Sequence, residues 1–378
     1  WLKFRLDHSL QAAPSDSTPP PSAPFHVMMQ PPLATLVLGV LIIADVHANP
    51  GREARCSTDP AGTRGTCQLQ HRVELRVKKD PQVLESAAGA GLPPVFLTYC
   101  DGAFQPIFEV FHKCYVAAMG DGMLPHLLDL GATDAGRCHP RVAGQVSLVA
   151  GSAESRVTPQ GVPIVIAKGI ADQLELGRDV FRIDADAFII QNPISEMRDR
   201  YPDADIVSSV DCAFVDPEYC GWYRTQAYWE RHAGHDPLSE MGFMLNTGFV
   251  FLRSNPRTIA LARDAAQAVH DGRSDFEQTA LNEELVRRHC AWSTGSGPLH
   301  GNAGRENGRM LYTERFFGTC DGGLKVVVLP FEIITRATNN ATGKLAMHPG
   351  GTTDDKLKTL PEVERACSER AGLRADGA

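Results

Sequence analysis

Two aspartates follow a short apolar run in the middle of the chain, in the stretch 181–193. Residues 180–183 are apolar or β-branched apart from Arg182, which is the pattern of a buried strand in a mainly parallel sheet. Asp184 and Asp186 follow at the end of this strand, where open α/β sheets bind ligands. Residues two apart on an extended segment share a face, so both carboxylates can approach one divalent cation. An acidic turn after the strand is the alternative interpretation.

Apolar strands and amphipathic helices alternate along the rest of the chain, and this alternation predicts an α/β fold. The predicted architecture is a twisted, mainly parallel sheet covered by helices. The predicted strands are 95–99, 124–130, 145–150, 180–183, 204–210, 249–252 and 326–329. The predicted helices are 106–119, 163–176, 256–270 and 276–288, and a helix-like run closes the chain.

The composition divides the chain into three parts. Residues 1–48 are predicted to be a Pro- and Ser-rich leader that ends in a signal peptide or signal anchor, because 33–44 is an apolar run of 12 residues. That run is short for a membrane span of about 20 residues, and a buried strand or helix is a third interpretation. Residues 49–94 are predicted to be a stem, and residues 95–378 a single folded domain.

Charge and cysteine content limit the possible partners and the compartment. The net charge of −8 argues against a nucleic-acid partner held by phosphate contacts. The ten cysteines include no Cys-x-x-Cys pair, which favours disulfides in an oxidising compartment over zinc ribbons. Cys212 and Cys220 are the predicted local pair. With the sequon at Asn340, these features predict the secretory pathway and the Golgi lumen, and any membrane contact is predicted only through the N-terminal anchor.

A set of charged and polar residues and one glycine occurs in order across about half the chain. In sequence they are Lys168, Asp184, Asp186, Asp211, Asn246, Gly248, Glu277, Gln278, Asn282, His348 and Lys356. This ordered set resembles the nucleotide-diphospho-sugar transferase family. These are the GT-A glycosyltransferases that include plant rhamnogalacturonan xylosyltransferases and extensin arabinosyltransferases. The set departs from the family pattern at Glu277, where aspartate is expected, and in the aromatic insertion around Trp222.

The resemblance implies a GT-A fold and a metal-dependent transferase that moves a sugar from a nucleoside-diphosphate sugar, such as a UDP-sugar, to a glycan or glycoprotein hydroxyl. It further implies retention of anomeric configuration. It implies Mn²⁺ or Mg²⁺ bound by Asp184, Asp186 and His348. The catalytic residues that it implies are Glu277, Gln278 and Asp211. The donor contacts that it implies are Lys168, Asp184, Asn246, Gly248, Asn282 and Lys356.

Several of these residues have a structural alternative. Lys168 can pair with Asp172 four residues on, on a solvated helix face. Asp275 and Gln278 have the spacing of a capping box. His348 can be an ordinary loop histidine, Asn246 can cap a turn, and the tryptophans of the insertion can be core residues instead of an acceptor platform.

Two other functions also fit parts of the sequence. One is a catalytically silent, secreted carbohydrate-binding protein on the same fold, since fold does not determine function. The other is a haloacid-dehalogenase-like phosphatase, in which the first Asp of Asp-x-Asp is the nucleophile. In that phosphatase fold the Asp pair follows the first strand, whereas here at least one strand and helix precede it.

Overall fold

The structure is a computed structural model that describes residues 92–100, 104–120, 123, 125–128, 147–149, 161–213, 236–299, 313–335 and 343–375. These ranges all belong to one compact unit, residues 88–378. The predicted leader and apolar run, residues 49–91 of the stem, the insertion around Trp222, Cys220 and the sequon at Asn340 lie outside the described ranges.

Thirteen strands are present in the described ranges. Ten of them form one sheet, and the other three form a second, smaller sheet. In chain order the strands are β1 (Val95–Tyr99), β2 (His126–Leu128), β3 (Ser147–Val149), β4 (Val180–Ile183), β5 (Phe188–Ile189), β6 (Ile206–Ala213), β7 (Phe243–Leu252), β8 (Ala291–Thr294), β9 (Gly297–Leu299), β10 (Phe316–Thr319), β11 (Lys325–Leu329), β12 (Ile334–Thr335) and β13 (Ala346–Met347).

The ten-stranded sheet has the order β3-β2-β1-β4-β7-β6-β11-β10-β8-β9. Its pairings make β1, β2, β3, β4, β6, β8 and β11 run in one direction, while β7, β9 and β10 run in the other. The prediction of an α/β fold with a mainly parallel sheet is therefore confirmed. The reversed strand β7 lies between β4 and β6. Its pairing with β4 places Phe249 opposite Ile183, the last residue of β4.

Helices flank this sheet, as the sequence predicted. Asn255 caps the helix Pro256–His270, because its side chain accepts hydrogen bonds from the backbone N–H groups of Arg257 and Thr258, at 2.9 and 3.2 Å. None of the helices in the described ranges has both the length and the hydropathy that a membrane span requires. The helices are α1 (Gln105–Met119), α2 (Gly161–Glu175), α3 (Pro237–Glu240), α4 (Pro256–His270), α5 (Glu277–Arg287) and α6 (Thr353–Ala375), with a π-helical turn at Ile194–Asp199.

The two faces of β4 contact different hydrophobic clusters, because side chains alternate along a strand. Phe181 stacks on Phe96 at 4.6 Å between ring centroids and packs with the cluster that includes α1. Val180 points to the opposite face and packs with the cluster that includes residues of α2, α4 and α5. Arg182, two residues on, shares the face of Val180. The alternation therefore directs the single charged residue of β4 toward α5.

Disulfides join distant segments of the domain. Cys114 of α1 is bonded to Cys367 of α6, and Cys290 is bonded to Cys320. Within the described ranges no cysteine is free, and this confirms the prediction of disulfides. Cys212 is disulfide-bonded, but its predicted pairing with Cys220 stays a prediction because Cys220 is outside the described ranges.

Asp205, just before β6, connects three segments of the chain. Its buried carboxylate accepts hydrogen bonds from Arg257 Nε at 2.9 Å and Nη2 at 2.8 Å, from Asn255 Nδ2 at 2.7 Å and from the Lys325 backbone N–H at 2.8 Å. Burial alone would raise the pKa of Asp205, but these hydrogen bonds outweigh it and hold the pKa below its ordinary value of 3.8.

We expect Asp205→Asn to destabilise the protein at neutral pH by about 2–3 kcal/mol, since it leaves Arg257 without its carboxylate partner. The folded pKa is lower than the unfolded one, so the stabilisation is fully present above the unfolded pKa and is lost as pH falls through the folded pKa. Urea unfolding of both proteins from pH 7 to pH 3 checks this. The difference in unfolding free energy should shrink below about pH 4, and a pH-independent difference would contradict the assignment.

Candidate functional site

Asp184, Asp186 and His348 lie together at the end of β4. Their ligand atoms are all within 4.8 Å of one another, with His348 Nε2 at 3.6 Å from Asp184 Oδ2 and 3.4 Å from Asp186 Oδ1. The small sheet explains how His348 arrives here. β13 ends one residue before His348 and pairs with β5, which follows Asp186 by two residues. The structure thus brings together the three residues that the resemblance implied as metal ligands.

A divalent cation fits these residues. Two carboxylates and an imidazole are a donor set that Mn²⁺ and Mg²⁺ accept. Gly248 of β7 leaves the space between them open, since a Cβ there would lie under 3.0 Å from Asp184 Oδ2, His348 Cε1 and Asn246 Oδ1. Asn246 Oδ1 is itself buried and has no hydrogen-bond partner among the residues that the structure describes. An oxygen without a partner beside two carboxylates suits a ligand that supplies positive charge or a donor.

Lys356 of α6 contacts the same cluster through Asp186. Its ammonium forms an ion pair with Asp186 Oδ2 and lies 6.0 Å from the centroid of the Phe104 ring. Burial alone would raise the pKa of Asp186, but His348 and Lys356 outweigh burial and hold the pKa of this carboxyl below its ordinary value. Asp186 is therefore an anion that a cation can bind.

Arg182 is buried directly behind Asp184. Its Nη1 lies 2.7 Å from Asp184 Oδ1 and donates to the Thr247 carbonyl at 2.7 Å, and its Nη2 donates to Glu277 Oε1 at 2.7 Å. The guanidinium carbon is 5.5 Å from the centroid of the Tyr99 ring. Burial alone would lower the pKa of Arg182, but the two carboxylates outweigh it and raise that pKa. Burial also raises the pKa of Glu277, which Arg182 partly offsets.

A network of amides connects Asp211 to this cluster. Asp211 accepts from Asn246 Nδ2 at 2.8 Å and from Gln278 Nε2 at 2.9 Å. Gln278 Oε1 in turn accepts from the Thr247 N–H at 2.9 Å. The capping-box interpretation is therefore wrong: α5 has Phe276 as its N-cap and no side-chain cap, because Gln278 bonds β7 and Asp211 instead.

Two of the residues that were predicted to contact the donor, Lys168 and Asn282, have partners outside the Asp184, Asp186 and His348 cluster. Lys168 pairs with Asp172 on an exposed part of α2, as its structural alternative predicted. Asn282 is buried, and its amide bonds both backbone groups of Leu245, accepting from N–H at 2.7 Å and donating to C=O at 3.1 Å. Asn282 thereby fixes α5 to β7. Neither residue contacts Asp184, Asp186 or His348 within the described part of the chain, and the donor contacts that the resemblance implies for them stay predictions.

The sequence predicted no role for three residues that the structure places at this site. Arg182 had a signal, because it is the one charge inside an apolar strand and such a charge needs a buried partner. Tyr99 and Phe104 had none, since an aromatic residue at the end of a strand or the start of a helix is common in any core.

A family model described as nucleotide-diphospho-sugar transferase matches residues 167–360. No curated protein matches the sequence. Among solved structures, the chain is similar to the galactosyltransferase LgtC in complex with donor and acceptor sugar analogues, at 16% identity and a TM-score of 0.36, covering 75% of this chain and 96% of that one.

A second similar structure is a glycosyltransferase involved in the glycosylation of the major capsid of PBCV-1. It has 9% identity and a TM-score of 0.38, and the alignment covers 72% of this chain and 100% of that one. Similarity at this level does not define a function, which depends on the family match and on the site itself.

Proposed function

This chain belongs to the nucleotide-diphospho-sugar transferase family, and we propose that it transfers one sugar from a nucleoside-diphosphate sugar to a hydroxyl of a glycan or glycoprotein acceptor. The proposal includes a divalent cation held by Asp184, Asp186 and His348. The observation that carries it is the convergence of these three ligand atoms within 4.8 Å around the space that Gly248 leaves open. The family match makes the phosphatase alternative unnecessary.

Some residues of the site would bind the diphosphate of the donor, and others would bind its sugar. When bound, the cation would neutralise charge on the diphosphate leaving group. Lys356 would act as a point charge toward a phosphate oxygen, because its ammonium is already at the edge of the carboxylate pair. Asn246 would offer Oδ1 to the donor while Asp211 fixes its amide.

Glu277 and Gln278 are proposed to lie on the sugar side. Arg182 donates to Oε1 of Glu277, so the orientation of this carboxylate is fixed. Gln278 is held by Thr247 and Asp211 and would position the sugar through the same network. Retention of configuration, a UDP-sugar donor and Mn²⁺ as the ion are further parts of the proposal. The Golgi lumen is another part, supported by the disulfide-bonded cysteines.

The experiment that tests this function is a screen of nucleotide sugars for hydrolysis and transfer, with Mn²⁺, with Mg²⁺ and with EDTA. We expect turnover of one donor class that is lost in EDTA, and proton NMR of the product should show the anomeric configuration of the donor. Binding of glycans without turnover of any donor would favour the silent carbohydrate-binding alternative and contradict the proposal.

Glu277→Ala should lower turnover by about 10- to 100-fold at saturating Mn²⁺ while leaving nucleoside-diphosphate affinity within about threefold. The reason is that Glu277 belongs to the proposed sugar side of the site and is linked to Asp184 through Arg182. Glu284→Gln on the same helix is the matched control, since Glu284 pairs with Arg287 and Arg288 instead. An equal loss of nucleotide affinity and turnover in Glu277→Ala would place Glu277 at the nucleotide and not at the sugar.

A further inference from the structure

Arg182 takes no part in the proposed reaction, yet it is the most buried charged side chain at the site. Its side chain is 3% exposed, against 20% for Asp184 and 12% for Glu277, the two carboxylates that it contacts. A buried guanidinium is costly unless every donor finds a partner. Here the fork of Nη1 and Nη2 spans both carboxylates and Nη1 also donates to the Thr247 carbonyl, while Nε has no hydrogen-bond partner among the described residues.

The fork gives the two oxygens of Asp184 different surroundings. Oδ1 is 2.7 Å from Arg182 Nη1, while Oδ2 is 3.6 Å from His348 Nε2 and would be under 3.0 Å from a Cβ on residue Gly248. Oδ2 is therefore the oxygen that faces the proposed cation space. A cation there and Arg182 would share one carboxylate, so the arginine opposes the charge that the site receives.

The length of Glu277 fits this arrangement. An aspartate at this position would be one methylene shorter. Glu277 Oε1 reaches Arg182 Nη2 at 2.7 Å from the first turn of α5. The arginine in the strand and the glutamate at the helix start are thus two halves of one buried ion pair.

We propose that Arg182 is a positioning residue that acts as a fixed counter-charge behind Asp184, weakening the bare cation site so that firm metal binding requires the diphosphate of the donor. This inference rests on the proposed function, because it assigns the Asp184 site to a divalent cation. A permanent positive charge in contact with one ligand carboxylate reduces the attraction of that carboxylate for a cation. A diphosphate supplies the missing negative charge when it binds.

The test is calorimetric titration of Mn²⁺ alone into nucleotide-free protein. Arg182→Met keeps the length of the side chain and removes its charge, and it should bind Mn²⁺ at least about tenfold more tightly than wild type. Arg182→Lys keeps the charge and should stay within about threefold of wild type. The direction of the change in Mn²⁺ affinity distinguishes a counter-charge from a support for Asp184. If Arg182 only held Asp184 in position, removing its side-chain charge would weaken Mn²⁺ binding.

A second pair of variants covers the case in which Arg182→Met fails to fold because two carboxylates lose their shared partner. Glu277→Gln removes one of those carboxylates and should bind Mn²⁺ a few times more weakly, about threefold. Adding Arg182→Met in the Glu277→Gln background should again tighten Mn²⁺ binding, by about tenfold, and bring the affinity back to or above that of wild type.

The results distinguish this inference from the proposed function. Weaker or unchanged Mn²⁺ binding on removal of Arg182, in either background, overturns the counter-charge role while the transferase proposal stands. A wild-type protein that binds neither Mn²⁺ nor UDP in the presence of Mn²⁺ overturns the proposed function, and the inference with it.

Discussion

Replacing Asp186 by alanine is expected to abolish metal-dependent sugar transfer and to leave the fold intact. Asp186 presents Oδ1 to His348 and Oδ2 to Lys356 at the end of β4, so its loss removes one of two anionic ligands of the proposed cation. Removing one stabiliser of developing charge typically costs about 3–4 kcal/mol in the transition state, which is a factor of several hundred in turnover. Steady-state kinetics with the donor identified by the screen measures this loss.

The matched control for Asp186→Ala is Asp205→Asn, which changes another buried aspartate at a distance from the proposed ligands. Asp205 is hydrogen-bonded to Arg257, Asn255 and Lys325, so its loss should lower stability and spare metal-dependent binding. Asp186→Ala should show the reverse, because Lys356 is partly exposed and can turn to solvent when its partner is removed. Wild-type turnover in Asp186→Ala would rule out a ligand role for this carboxylate.

Gly248→Ala should have the second largest effect. The added methyl would lie under 3.0 Å from Asp184 Oδ2, His348 Cε1 and Asn246 Oδ1, and a contact that close must displace at least one of them. Displacing a reacting or ligating group by about 1 Å can cost about 100-fold in rate, and we expect a loss of that size in turnover and a clear loss of Mn²⁺ affinity. Stability should fall by only about 1–2 kcal/mol, since side chains can give way.

Gly295→Ala is the control for Gly248→Ala. Gly295 has open space where its Cβ would lie and no left-handed backbone, so the same substitution there should change neither turnover nor Mn²⁺ affinity. Thermal unfolding of both variants separates a blocked site from a damaged fold. If Gly248→Ala keeps full turnover, the space above Gly248 is not where the cation and donor meet.

The central part of the site could be predicted because its signals are local. The apolar run 180–183 followed by two aspartates predicts a buried strand with carboxylates at its end, and the structure has this arrangement. The start of a helix could also be predicted where the sequence contains capping residues, as at Asn255 and Pro256. The family resemblance also named His348, whose approach depends on pairing between β5 and β13 that no local pattern reveals.

The remaining interactions depend on contacts between segments far apart in the chain. Antiparallel pairing of β7 with β4 places Gly248 against Asp184, whose N–H bonds the Gly248 carbonyl at 2.7 Å. Asn282 has a residue type that suits a sugar or a backbone equally, and only tertiary packing shows that it bonds Leu245. The sequence showed that Arg182 is a charged residue in an otherwise apolar strand. Its partners Thr247 and Glu277 belong to β7 and α5, so the sequence could not identify them.

The most direct test of the account is a calorimetric titration of UDP into the wild-type protein and into Asp186→Ala, each with saturating Mn²⁺ and with EDTA. We expect the wild type to bind UDP much more tightly with Mn²⁺ than with EDTA. Asp186→Ala should bind it weakly and equally in both conditions, since the cation no longer bridges protein and diphosphate. Metal-dependent binding of UDP that is unchanged in Asp186→Ala would contradict the assignment of Asp184, Asp186 and His348 as the metal site.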